Sequence, residues 1–212
     1  MQSDQTKLKL IFLGDSYVGK SSTHRVLSGD GFAEPPPSTI GVEFRTMILK
    51  EGIKLLMFDT AGQERFNFIS RQYLSGTNII VLEFDVNRRG PFENLATWIE
   101  KAKNVIKDNY VEWLLIGNKN DLKCRAVMQC EAEEFALEHG MFYLDYSAKL
   151  DSGTIIRAKL EEVVEKYLST KKLEEPAPAN NPVQPLIPQQ LPAPIPVPPQ
   201  QPVQENKGCT LI

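Results

Sequence analysis

"LKLIFLGDSYVGKSS", Leu8 to Ser22, decides how the rest of the chain is read. Leu8–Leu13 is short and rich in branched and aromatic side chains, which is strand character. The run stops at Gly14, and the next residues satisfy G-x-x-x-x-G-K-[ST] through Gly14, Gly19, Lys20 and Ser21. Each residue type has a physical reason at that spacing. Glycine lets successive backbone N–H groups turn toward phosphate oxygens, Lys20 supplies a neutralising cation, and the Ser21 hydroxyl can ligate Mg²⁺. A strand, such a loop and a helix in that order imply a nucleoside triphosphate site. Asp15, Ser16, Tyr17, Val18, Gly19, Lys20, Ser21 and Ser22 are its candidate phosphate-side residues.

Outward from this stretch, strand-like runs alternate with helical patterns. "KLLMFD" (Lys54–Asp59), "IIVLEFD" (Ile79–Asp85), "VEWLLIG" (Val111–Gly117) and "MFYLD" (Met141–Asp145) read as strands. "FRTMILK" (Phe44–Lys50), followed by "EGIK", reads as one arm of an antiparallel hairpin. Phe92, Leu95, Trp98, Ile99, Ala102 and Ile106 recur at helical spacing behind Pro91, so 90–107 is expected to be one helix. "EAEEFALEHG" is a second helix, stopped by Gly140. In 151–172, Ile155, Ile156, Leu160, Val163, Val164 and Tyr167 mark a third. The alternation predicts an α/β fold: a mainly parallel six-stranded sheet with one antiparallel strand and helices on both faces. Ligands in such sheets bind at the carboxyl ends of the strands.

"GNKND" (Gly117–Asp121) and "YSAK" (Tyr146–Lys149) each follow a strand, and "DTAGQERF" (Asp59–Phe66) follows the third. With the phosphate loop, and in this order, they resemble the Ras superfamily of small GTPases over about residues 7–170, hence a P-loop NTPase G domain. The resemblance implies that Asp121 accepts from the guanine N1–H and exocyclic amine, a donor pair that adenine lacks. It also implies that Asn118 supports that loop and faces the base O6, and that the Lys119 stem packs along the ring. Ser147, Ala148 and Lys149 would complete the pocket, with the Ala148 N–H on O6, and Phe32 would lie against the guanine edge. Asp59 would hold Mg²⁺ through water, together with Ser21 and Thr39. Gly62 would meet the γ-phosphate. Gln63 would orient the attacking water, with Lys20 and Thr39 sharing the catalytic work.

"TIGVEF" (Thr39–Phe44), "RFNFIS" (Arg65–Ser70) and "LEFDVN" (Leu82–Asn87) resemble the Rab branch. Phe58 stands where that branch usually carries Trp. The resemblance implies a GTP/GDP switch in vesicle traffic that hydrolyses GTP slowly. Its implied partners are an exchange factor, a GTPase-activating protein, a dissociation inhibitor or escort, and effectors reading residues 34–44 and 60–76. Two other readings are a Ras-like signalling GTPase and a nucleotide-locked adaptor with little hydrolysis. A metabolic kinase leaves "NKND" and "YSAK" without a purpose. The triplet Pro35–Pro37 precedes Thr39 and limits the open conformations of its loop.

Composition bounds the rest. A net charge of −3 without a basic stripe excludes nucleic acid as the expected partner. Cys124, Cys130 and Cys209 form neither a metal spacing nor an even framework, so a reducing compartment is expected. The apolar run after Lys9 is too short for a signal peptide or a membrane span, so a cytoplasmic protein is expected. A monomer is expected as well. Eleven prolines between Pro176 and Pro202 predict a disordered or polyproline tail over 173–212, set apart from a folded domain over 1–172. "CTLI" at Cys209–Ile212 fits a C-a-a-X prenylation signal. A prenyl group there would let the protein cycle onto the cytosolic face of Golgi or vesicle membranes. Lys207 is the only basic residue between Glu174 and Ile212, so one prenyl chain would give marginal anchoring.

Overall fold

The computed structural model describes residues 6–34, 42–60, 71–107 and 109–174. Strands β1 (Lys7–Leu13), β2 (Val42–Ile48), β3 (Lys54–Thr60), β4 (Ile79–Asp85), β5 (Glu112–Asn118) and β6 (Phe142–Asp145) form one sheet in the order β2-β3-β1-β4-β5-β6. Only β2 runs antiparallel, against β3; the remaining pairs are parallel. The expected architecture is therefore found. Helices α1 (Lys20–Leu27), α2 (Arg71–Leu74), α3 (Arg89–Glu93), α4 (Leu95–Ile106), α5 (Gln129–Glu138) and α6 (Thr154–Glu174) fill the connections.

The sheet is buried on both faces, which is why β4 and β5 read as continuous apolar runs. Alternation along each strand sorts side chains between two cores. Leu10 and Phe12 of β1, Val81 of β4 and Leu114 and Ile116 of β5 pack with Val26 of α1 and with Ile156, Leu160, Val163 and Tyr167 of α6. Ile11, Leu13, Leu82, Phe84 and Leu115 face the other way, against Leu95, Trp98 and Ile99 of α4 and Ala132 of α5. Burying a side chain of this size contributes about 1.5–3 kcal/mol, so the two cores hold the sheet between the helical layers.

Of the boundaries that differ from the sequence expectation, three bear on the site. The span 90–107 is interrupted at Asn94, where ψ relaxes to −9° and the Asn94 and Trp98 side chains both turn toward the loop after β1. β2 starts at Val42 rather than Phe44 because Val42 and Glu43 find partners in Thr60 and Asp59. β5 continues to Asn118, which pairs with Asp85. The β2–β3 hairpin closes through Lys50–Gly52, with Glu51 and Gly52 both at positive φ. No helix among the described residues is long and apolar enough to cross a membrane. The tail beyond Glu174, Cys209 included, lies outside the described residues, as do Pro35–Pro37, Thr39, Gly62 and Gln63.

Candidate nucleotide-binding site

Strand order reverses between β1 and β4: β3 lies on one side of β1 and β4 on the other. The crevice at their carboxyl ends is where this fold class binds ligands. Gly14 leaves β1 there with φ 137°, so close to β4 that a Cβ would stand 2.1 Å from the Glu83 carbonyl oxygen. Gly19 has φ 125° just before α1. Between them Tyr17 adopts φ 64° with its ring exposed, a left-handed conformation uncommon outside glycine.

Its anchors are specific. Asp15 accepts from the Trp98 indole Nε1 and from Asn94 Nδ2, both at 2.7 Å. Val18 is fully buried. Lys20, 4% exposed, reaches back and donates its ammonium to the carbonyls of Gly14 (2.9 Å) and Asp15 (2.7 Å). Ser21 sits in the first turn of α1 with Ser22 buried behind it. Asp59, fully buried, stands at the end of β3 opposite Phe12 of β1. A hydroxyl and a carboxylate are hard oxygen donors, the kind Mg²⁺ takes, and they flank a loop that faces phosphate. Ser21 and Asp59 therefore fit the ion. Bound there, it would neutralise phosphate charge.

His24, given no role from sequence, is buried behind Asp59, its ring edge-on to Phe12 with centroids 5.7 Å apart. Ligand atoms of His24, Glu43 and Asp59 lie within 4.8 Å of one another. Glu43 is already taken by Arg45, whose Nη2 and Nε lie 2.6 and 2.8 Å from its Oε1. Burial lowers the His24 pKa against the opposing pull of Asp59, so the imidazole is neutral at pH 7.

The base-side loops close against this frame. Asn118 Oδ1 accepts from the backbone N–H of Lys119 (2.6 Å) and of Ala148 (3.1 Å). Its Nδ2 donates to Glu83 Oε1 at 2.5 Å and approaches Thr23 Oγ1 at 3.3 Å. Lys119, at φ 64°, sends its ammonium to the Tyr17 carbonyl (2.5 Å) and to buried Asp85 (2.9 Å). Asn87 Nδ2 supports the Lys119 carbonyl at 2.9 Å. Ser147 Oγ donates to Asp121 Oδ1 at 2.7 Å, and Asn120 N–H to the Tyr146 carbonyl at 3.0 Å, so the two base-side loops are tied together. Lys149 pairs with Glu34 at 3.1 Å and stands 6.0 Å from the Phe32 ring centroid. The site residues predicted from sequence that are described thus converge on one end of the sheet. Two details go beyond the expected roles. The Lys119 ammonium bridges to the phosphate loop, and the Ala148 N–H is directed at Asn118.

Residues 9–169 match the Ras family. The zebrafish (Danio rerio) Ras-related protein Rab-18-B is 36% identical over 182 residues, covering 84% of this chain and 88% of the relative. The chain belongs to the Ras family of small GTPases. Within it the protein is Rab-like: a GTPase that takes GTP or GDP with Mg²⁺.

Several residues of the site escaped the sequence reading. Asn94, Thr23 and the indole N–H of Trp98 act through partners tens of residues away, so no local pattern marks them. Asp85 and Asn87 lie inside "LEFDVN" and bond each other, but their links to Lys119 span 34 and 32 residues. Glu83 did leave a signal: it is the one charge inside an otherwise apolar run, "IIVLEF".

Proposed function

We propose that the protein is a trafficking switch whose GTP-bound form is read by effectors and whose hydrolysis is the timer. The observation that carries this reading is the bridge from Lys119 to Tyr17, because it joins the base-reading loop to the phosphate loop in one frame. A pocket built in this way supports discrimination of guanine at one end and retention of phosphate at the other. Asp121, oriented by Ser147, supplies the acceptor that a guanine edge requires. In this reading residues 34–44 and 60–76 order around the γ-phosphate through Thr39 and Gly62, and Gln63 positions water. An activating protein supplies the arginine, an exchange factor frees the nucleotide, and a dissociation inhibitor or escort carries the membrane-detached form.

The test is binding of GTP against ATP together with multiple-turnover phosphate release. GTP is expected to bind at least a thousandfold more tightly, with turnover far below one per second. Gln63→Leu should slow single-turnover hydrolysis more than tenfold with GTP affinity unchanged. Equal hydrolysis by the two proteins would remove Gln63 from its role. ATP binding as tight as GTP would remove the guanine reading.

The membrane half of the proposal places the folded domain at 1–172, a proline-rich tether at 173–212 and a prenyl group on Cys209. The protein then works as a monomer on the cytosolic face of Golgi or vesicle membranes. Cys209→Ser should leave the protein diffuse in cells where the wild type is punctate. Identical diffuse distributions would defeat this half alone.

A further inference from the structure

Glu83 is fully buried at the point where β1, β4, β5 and α1 meet, and nothing in nucleotide chemistry as described above uses it. Its Oε1 accepts from Asn118 Nδ2 at 2.5 Å and from Thr23 Oγ1 at 3.1 Å. One carboxyl oxygen therefore ties the start of the base-reading loop to the helix that follows the phosphate loop. The glycines of that loop lie directly on this residue. A Cβ at Gly19 would stand 2.1 Å from Asn118 Nδ2 and 2.8 Å from Glu83 Oε1, and one at Gly14 would meet the Glu83 carbonyl. The phosphate loop thus rests on the Glu83–Asn118 pair as on a floor.

We infer that Glu83 is a positioning residue for the nucleotide: its one hydrogen-bonded oxygen fixes Asn118 and α1 beneath the phosphate loop, and that tie sets how long the nucleotide is held. This rests on the guanine-nucleotide reading given above. The second carboxyl oxygen, Oε2, is buried with no hydrogen-bond partner among the described residues. The groups that face the carboxyl are Lys20 and Thr23 from α1, Asn118 from β5, Asp59 from β3 and Tyr146 from the loop after β6. Burial is the largest influence and outweighs the hydrogen bonds and Lys20, so the carboxyl titrates at about 7.

The experiment is release of fluorescently labelled GDP from the full chain, chased with excess GDP in the presence of Mg²⁺. Glu83→Gln keeps the shape and the accepting oxygen, so its release should stay within about twofold of wild type. Glu83→Val leaves Asn118 and Thr23 without their acceptor and should release roughly tenfold faster than either. If Glu83→Val does not fold, Thr23→Val, which removes one of the two bonds to Oε1 at the same volume, should release about threefold faster than wild type in its place. A folded Glu83→Val or Thr23→Val protein with wild-type release overturns the inference while leaving the nucleotide site intact. A wild type that holds no labelled GDP overturns the nucleotide reading itself, and the inference with it.

Discussion

Lys20→Ala is expected to weaken GTP binding by about two to three orders of magnitude, read by titration with a fluorescent GTP analogue. The side chain is almost wholly enclosed, and its ammonium spans the loop to the carbonyls of Gly14 and Asp15. Those two bonds hold the charge inside the loop that would receive a β- or γ-phosphate. Removing one partner of an enclosed, hydrogen-bonded charge pair costs about 3–4 kcal/mol, and each 1.4 kcal/mol is a factor of ten. Lys20→Arg should not restore binding, because a planar guanidinium cannot occupy the place of a compact ammonium between two carbonyls. Wild-type affinity in Lys20→Ala would mean that this cation serves the loop alone and never meets phosphate.

Gly14→Ala is expected to lower stability by about 3 kcal/mol or more, a fall of roughly 10 °C in the thermal midpoint of a domain this size. The new Cβ would stand 2.1 Å from the Glu83 carbonyl oxygen, which is main chain in the middle of the sheet. A φ of 137° adds strain that no L side chain avoids. Gly19 makes an instructive contrast. Its nearest neighbours are the Asn118 amide and the Glu83 carboxyl, side chains rather than main chain, so a Cβ there would break the buried bond between them. Alanine there should damage the site more than the fold. A Gly14→Ala protein with an unchanged unfolding midpoint in urea would show that β1 and β4 separate more easily than their register implies.

Much of this architecture can be read from residue patterns. The phosphate-loop spacing and the alternation of strand and helix required a parallel sheet, and "FRTMILKEGIK" required its single antiparallel arm. The base-reading loop was legible because Asn118, Lys119 and Asp121 come directly after an apolar strand. What stayed hidden are the ties between distant parts. Asp15 meets Trp98 across 83 residues and Lys119 meets Tyr17 across 102, and neither separation leaves a mark on local sequence. The break at Asn94 was hidden for the same reason: periodicity predicts a continuous helix, and the interruption goes with a side chain drawn to the phosphate loop. Glu83 was visible as an anomaly, but its meaning depends on what lies above it.

The bond from the Trp98 indole to Asp15 has an optical consequence. Indole emission responds to a charged hydrogen-bond acceptor, and this acceptor belongs to the loop that surrounds phosphate. Of the protein's two tryptophans, Trp113 is packed within β5 and lies in the apolar layer beneath α4 and α5. Both indoles are buried in the same core, but only Trp98 donates to the loop beside the ligand site. Loading and release of nucleotide are therefore expected to change the light that the unlabelled protein itself emits.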